Sequence, residues 1–331
     1  MTSNLQALWK GLAGVSDGTG WQTLGIRPQA RCSISAAIRH PEVLEAVMLD
    51  VMASSIPSNL DLPEAQGFRV LLERRSPGAK GQVLLILERT QSGGSELFAQ
   101  MVDDVLDITE AAPSEEAAVR AFVGRIVAWK RFMHEMRPTG LSDSEEIGLL
   151  GELVVLDMLL DTLTADQAIQ SWTGPEDGVQ DFVWAQSAIE VKTTLGAKDI
   201  IHISSMDQLD PSPLDQLRLI RVRARPGSGG KTLPQWVDTV AERCQQALPD
   251  FSNRLLSAGY AEVQRDQYTH QFIVDGLDAY AITEEFPSLR RARAPEAVRE
   301  ANYQLDLRLA KSFEVPIGEA ISAVIGDSRG S

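Results

Sequence analysis

The spacing of apolar and polar positions changes period several times along the chain, and each change predicts an element. Helical spacing over Asn4 to Leu12 gives way to strand-like runs at Arg31 to Ile38 and Ala46 to Ala53. Phe68 to Arg75 and Gln82 to Thr90 read as two more strands joined by a hairpin turn at Ser76-Pro77-Gly78. Helical periodicity returns near Glu96 to Ile108 and from Ser114 to Met136, and Pro138-Thr139-Gly140 then breaks it. This layout predicts an N-terminal α+β module over residues 1–140, for recognition, partner binding or support, and a second domain over 141–331.

The second domain opens with a predicted helix from Ser142 to Asp161, in which Ser142 stands three residues before Glu145, a capping-box spacing. At about 100° per residue, Glu152 falls in line with Gly148, Leu149, Leu156 and Leu159, on the apolar stripe. An ionised carboxylate there is costly unless it is paired, hydrogen-bonded or bound to a metal. Gly148, one turn earlier, predicts a close approach of this helix to its neighbour.

Gln180 to Trp184 and Ile189 to Thr194 then read as adjacent strands. Because strand side chains alternate, Glu190 and Lys192 share a face, with Ile189, Val191 and Thr193 behind. A hairpin turning at Gln186-Ser187 sets Asp181 opposite Lys192 and Val183 opposite Glu190. Asp181, Glu190 and Lys192 then lie on one face, roughly 5 to 8 Å apart, a gap that side chains can close around one small cation. Further on, Leu217 to Arg225 is a predicted strand with Arg221, Arg223 and Arg225 on one face. A helix from Pro234 to Leu248, a helical segment through Leu256, strands near Tyr268 to Val274, Tyr280 to Thr283 and Tyr303 to Leu309, and a short final helix complete the pattern.

Composition narrows the class. The 331 residues are 44% apolar and 23% charged, an ordinary globular balance with room for two cores. Only Cys32 and Cys244 occur, too few for a disulfide framework, which points to a reducing cytoplasm. Met1 to Lys10 lacks the basic-then-apolar pattern of a secretory signal, and no uncharged apolar run approaches the roughly 20 residues that span a bilayer. The net charge is −15, and residues 141–210 alone hold 14 acidic against 2 basic residues. Concentrated carboxylates suit a cation and repel phosphate, which counts against nucleic-acid binding by the isolated chain, an effect that metal loading or a basic partner could offset.

Glu152 on a helix, then Asp181, then Glu190-Val191-Lys192 resembles the PD-(D/E)XK nuclease superfamily, the restriction-endonuclease-like fold. The surrounding wording GLLGEL, QDFVW, IEVKTT and HISSMDQL is similar to a bacterial family of PD-(D/E)XK motif proteins over about 70 residues; Gln180 stands where the usual proline precedes the aspartate. The resemblance implies an α/β fold with a mixed sheet flanked by helices in the C-terminal half. It also implies a Mg²⁺-dependent endonuclease acting on DNA, with Mn²⁺ as a substitute, as the cleaving subunit of a restriction-like or phage-defence system with protein partners. Phosphodiester hydrolysis needs a cation that neutralises phosphoryl charge and acidifies water. Asp181 and Glu190 suit Mg²⁺, with the Val191 carbonyl as a further oxygen. Lys192 would orient the water or meet developing charge. By analogy with the superfamily, Glu152 would hold a metal-bound water or a second ion, and Gln208 would contribute beyond the third strand.

Other readings compete. A Glu-X-Lys tripeptide on a strand often marks only a solvated face. The same fold can also serve as an inactive scaffold or recognition subunit. If their face adjoined the acidic site, Arg221, Arg223 and Arg225 could hold a nucleic-acid backbone, as could Arg290, Arg291, Arg293 and Arg299. Gly227-Ser228-Gly229-Gly230-Lys231-Thr232 has the strand-to-helix setting of a phosphate loop, with Phe272 to Asp275 as a Mg²⁺-binding strand, but Arg225 occupies the required first glycine position. His40, His134, His202 and His270 show no metal-ligand spacing. His202 falls on the strand after the Glu-X-Lys motif and reads as structural.

Overall fold

The computed structural model describes residues 4–14, 19–58, 60, 62–75, 81–135, 140–176 and 178–326. The chain divides into two compact units, Met1–Met136 and Arg137–Ser331. The first contains helix α1 (Asn4–Ala13), strands β1 (Gly20–Ile26), β2 (Ser33–His40), β3 (Leu44–Met52), β4 (Glu64–Ala65), β5 (Phe68–Arg74) and β6 (Gln82–Arg89), and helices α2 (Ser95–Glu110) and α3 (Glu115–Glu135). The strands form one antiparallel sheet in the order β1-β2-β3-β6-β5-β4. Alternation buries Ile34, Ala36 and Ile38 of β2 beside Val47 and Leu49 of β3 and Leu85 and Leu87 of β6. Trp9 of α1 donates its indole N–H to the Ala46 carbonyl (2.9 Å) and stacks on Phe98 of α2. On the opposite face, buried Glu88 pairs with Arg39 at 2.8 Å and Arg69 at 2.7 Å.

Strand β1 has no counterpart in the sequence reading. It pairs only with β2 and leaves most residues exposed or half-exposed, so it carries no clean alternation. The turn expected at Ser76-Pro77-Gly78 lies outside the described residues, as do Pro138 and Thr139.

The second unit contains α4 (Asp143–Leu159), α5 (Ala165–Ser171), β7 (Phe182–Trp184), β8 (Ser187–Leu195), β9 (Ile200–Ile203), β10 (Gln216–Lys231), α6 (Leu233–Arg243), α7 (Leu248–Ser257), β11 (Phe272–Ala281), β12 (Tyr303–Asp306), β13 (Glu314–Val315) and α8 (Ile317–Gly326). Five strands form a mixed sheet in the order β13-β11-β10-β8-β7, with β8 and β10 parallel and the other pairs antiparallel. One face, including Ile189, Val191, Ile220 and Val222, packs with buried side chains of α4 through α8. The other, including Ala188, Leu217, Leu219 and Tyr280, packs on the separate β9–β12 ribbon through Ile201, Ile203 and Leu305. This is an α/β fold with a mixed sheet and flanking helices, as the resemblance implies. No helix among the described residues is long and apolar enough to cross a membrane.

Helix α4 starts as its sequence predicts. Ser142 caps it, with the Glu145 carboxylate accepting from the Ser142 N–H (2.8 Å). Leu150, Leu153, Val155, Leu156 and Leu159 are fully buried, each contributing about 1.5 to 3 kcal/mol. The close approach is made by Gly151, not Gly148. A Cβ at Gly151 would stand 1.9 Å from Thr193 Oγ1 of β8, whereas one at Gly148 would meet nothing within 4 Å.

The hairpin register also differs from expectation by two residues. The turn falls at Ala185-Gln186, with Ala185 at φ 43°, the left-handed backbone that a two-residue hairpin turn uses. Val183 therefore pairs with Ala188 rather than Glu190, and Phe182 pairs with Ile189. A two-residue slip preserves the faces, so Asp181 keeps its place on the Glu190 side. Strand β11 runs unbroken where two strands were expected, because a register shift between Arg223 and Ala224 of β10 keeps the ladder paired on both sides. The segment after β12 turns into 3-10 helix at Leu307 instead of continuing as strand.

Gly151→Ala should destabilise the protein by about 1 to 3 kcal/mol, because the added methyl overlaps Thr193. Gly148→Ala should leave stability unchanged or raise it by up to about 1 kcal/mol. Urea denaturation midpoints measure both, and equal effects would contradict the packing described.

Candidate active site

Glu152, Asp181, Glu190, Lys192 and Gln208 come from one helix, the start of β7, strand β8 and the turn after β9, and the fold brings them together. Asp181 sits just before β7, where its Oδ2 accepts the Val191 N–H at 2.6 Å. Its own carbonyl accepts the N–H groups of Thr173 (2.8 Å) and Gly174 (3.0 Å), which fixes the backbone around it. Val191 thus meets the cluster through its N–H. Glu190 is 1% exposed, and its Oε2 meets no hydrogen-bond donor among the described residues. The Lys192 ammonium stands 2.7 Å from Glu190 Oε1, a charge-assisted contact. Lys192 Nζ also reaches Gln208 Oε1 at 3.4 Å, and that oxygen accepts the Ser204 N–H at 2.9 Å.

Glu152 enters from α4, and its Oε2 accepts the Trp172 indole N–H at 2.7 Å. Trp172 is fully buried directly after α5, and Arg254 donates to its carbonyl. Gly174 packs close against both Glu152 and Asp181. A Cβ there would lie 3.0 Å from Asp181 Oδ1 and 3.1 Å from Glu152 Oε2, so any side chain would crowd both acids.

Burial sets the protonation of this group. It pushes Glu152 up to about 8, assisted by the Asp181 charge and opposed by Trp172 and Lys192. Burial also raises Asp181 against the Val191 hydrogen bond and Lys192. Glu190 is held well above the usual carboxylate range, first by burial and then by Asp181. For Lys192 burial acts in the opposite sense, but Glu190, Asp181 and Glu152 together outweigh it and raise the ammonium. Burial thus favours the protonated form of all three acids, and a cation placed among them would act in the opposite sense.

Three supporting residues escape the sequence reading. Trp172 follows α5, which Thr164 and Gln167 announce by a capping box. Gly174 has no signal short of the folded loop. Gln180, in the usual proline position, donates from Nε2 to the carbonyls of Asp207 (3.1 Å) and Gln208 (3.4 Å), tying the Asp181 turn to the segment that bears Gln208.

The arginine stripe is occupied internally. Arg221 is buried between Asp199 and Asp278, at 2.6 Å from each, while Arg223 pairs with Asp278 and Arg225 with Asp275, both at 3.0 Å. Arg290 is 2% exposed and bound to Glu284 (2.8 Å) and to main-chain carbonyls, so it serves packing. Arg291 forms a two-point pair with Asp207, and Arg293 joins Glu284. Arg299 offers its carbonyl to Arg291.

The glycine-rich stretch is not a phosphate loop. It is the bulged end of β10, where Pro226 and Lys231 both register with Phe272. Lys231 is spent on Thr239 Oγ1 (2.8 Å) and the Trp236 ring. His202 is exposed on β9, His40 is buried in β2, and the His134 side chain lies outside the described residues. His270, which showed no ligand spacing in sequence, lies in space with Asp143 and Glu146.

Comparison with known families accords with this geometry. A model described as "Putative PD-(D/E)XK family member, (DUF4420)" matches residues 5–308. The chain belongs to the DUF4420 family. No curated protein and no solved structure matches it. The DUF4420 match takes in Glu152, Asp181, Glu190, Lys192 and Gln208 and ends before β13 and α8.

An acid whose folded pKa exceeds its unfolded value binds its proton more tightly when folded. Glu152 should therefore favour folding below its ordinary 4.5 and lose that contribution as pH rises to about 8. Without divalent metal, the wild type should lose more thermal stability than Glu152→Gln across this window. Parallel melting profiles for the two proteins would refute the shift.

Proposed function

We propose that this DUF4420 chain hydrolyses phosphodiester bonds in DNA with Mg²⁺, for which Mn²⁺ can substitute, and that Glu152, Asp181, Glu190 and Lys192 form the centre. The observation that carries the reading is the convergence of three carboxylates and an ammonium, with Glu190 buried, its Oε1 answered by Lys192 alone at 2.7 Å and its Oε2 without a donor among the described residues. The residues fit a hard cation. The donors are carboxylate oxygens, one of them, Glu190 Oε2, is buried without a donor among the described residues, and Gly174 keeps any side chain from crowding Asp181 and Glu152.

Asp181 and Glu190 would hold the ion, with Glu152 and the Val191 carbonyl as further oxygens. Bound Mg²⁺ supplies charge neutralisation at the phosphoryl oxygens and acidifies an attacking water. Lys192, held between Glu190 and Gln208, would present its ammonium to a water or to developing phosphoryl charge, and a donor preset in that way would need little reorganisation during reaction. Gln208 holds Lys192, Trp172 holds Glu152, and Gln180 keeps the Gln208 segment in register with Asp181. The acidity of residues 141–210 assigns DNA attraction to metal loading or to a basic partner, in keeping with a cleaving subunit of a restriction-like or phage-defence assembly. Arg223 and Arg225 are the exposed members of the β10 stripe and would touch phosphate only by exchanging their aspartate partners. Cys32 and Cys244 are buried free thiols, suited to a reducing cytoplasm.

The same acidity favours a second reading, a scaffold that retains the fold and recruits nucleic acid or protein without cutting. The two separate on plasmid DNA. Wild type with Mg²⁺ or Mn²⁺ should nick it, Lys192→Ala should slow nicking by roughly 10²- to 10³-fold, and Asp181→Ala should reduce it to background. Nicking indifferent to both substitutions would place the chemistry elsewhere. A folded, metal-supplied protein that binds DNA and its partners yet never cuts would favour the scaffold.

A further inference from the structure

We infer that Asp143, Glu146 and His270 form a second divalent-cation site, separate from the Glu152 cluster and suited to a transition ion such as Zn²⁺. One potential ligand atom from each residue lies within 4.8 Å of the others. His270 Nδ1 stands 3.0 Å from Glu146 Oε2. Glu146 is 3% exposed, and its Oε1 is buried without a hydrogen-bond partner among the described residues. An imidazole salt bridge satisfies only Oε2. The second oxygen of a buried carboxylate stays unanswered, at an energetic cost that a coordinated cation removes.

The donor set selects the ion. One imidazole nitrogen with two carboxylate oxygens suits Zn²⁺, Mn²⁺, Co²⁺ or Ni²⁺, whereas Mg²⁺ and Ca²⁺ take oxygens alone. Three protein ligands leave a position for water. Asp143 and His270 are exposed, so the ion has an entry path.

The surroundings hold these residues in place. Glu145, between the two acids, is engaged by the Ser142 cap and is not available as a ligand. Tyr268, two residues before His270, accepts the Leu141 N–H at 3.0 Å, which docks the segment entering β11 against the start of α4. An ion here would join positions 124 residues apart in sequence and anchor the helix that carries Glu152. Six residues of helix put Glu152 about 9 Å further along the axis, too far for one ion to serve both groups.

The test uses the full chain, free of affinity tag and chelator-treated, with Glu152→Gln and Asp181→Asn silencing the other cluster. Calorimetric titration with Zn²⁺ alone should show one equivalent bound, accompanied by a rise in Tm. Adding His270→Ala should abolish both, and adding Asp143→Asn should weaken binding by roughly tenfold or more. Co²⁺ in place of Zn²⁺ should give a visible absorption band that is lost with His270→Ala. No Zn²⁺ uptake by the silenced chain would overturn the inference and leave His270 and Glu146 as an ion pair only. Uptake unchanged by His270→Ala would overturn it equally. If circular dichroism shows that His270→Ala misfolds, exposed Asp143→Asn decides alone, and unchanged binding then overturns the site.

Discussion

A carboxylate sealed from water must be answered by nearby charge, and Glu190 imposes that demand on the second unit. It is 1% exposed, and its charged neighbour at 2.7 Å is Lys192 on the same strand. An isolated buried carboxylate would cost several kcal/mol, and removing one partner of such a pair strands the other. Lys192 therefore has to stay beside it, and Gln208 has to hold Lys192 from the other side. The two remaining acids, Asp181 and Glu152, worsen the problem instead of easing it. Each raises the proton affinity of Glu190, so the group is a poor structural device but a good receptacle for positive charge.

The rest of the unit serves this concentration of charge through packing. Strand β8 lies between β7 and β10, so its Val191 side is sealed by helices while its Glu190 side meets the turn before β7. Helix α4 can deliver Glu152 only because Gly151 lets it press on Thr193. The capped helix α5 sets Trp172 as the donor that fixes Glu152, and Gly174 keeps a side chain from crowding Glu152 and Asp181. Under the proposed function, an arrangement preset in this way would ask little rearrangement during the reaction.

Charge also explains what the arginines do. Asp199, Asp275 and Asp278 draw Arg221, Arg223 and Arg225 into pairs that lace β10 to its neighbours, so an apparent basic face is internally compensated. Helix α4 has acidic and no basic residues, with Asp143 and Glu146 in its first turns and Glu152 in its middle. One helix thus links two groups of carboxylates, one answered by a lysine and the other by a histidine.

Much of this was legible in the residues alone, for a local reason. Period-two alternation assigns Glu190 and Lys192 to one face whatever the register, which is why a hairpin misjudged by two residues still put Asp181 on the correct side. The capping box at Ser142 and Glu145 likewise located α4. Features that depend on distant chain segments were not legible. The choice of Gly151 over Gly148 as the contact point depends on where Thr193 lies, and the compensation of the arginine stripe depends on aspartates up to 57 residues away. The glycine-rich stretch became the end of a strand because Phe272 pairs across it. His270 joined Glu146 only because the chain returns to α4 after 124 residues. Sequence periodicity determines which way a side chain points along its own element, while its partner is decided by which elements pack together, and that is a property of the whole folded unit.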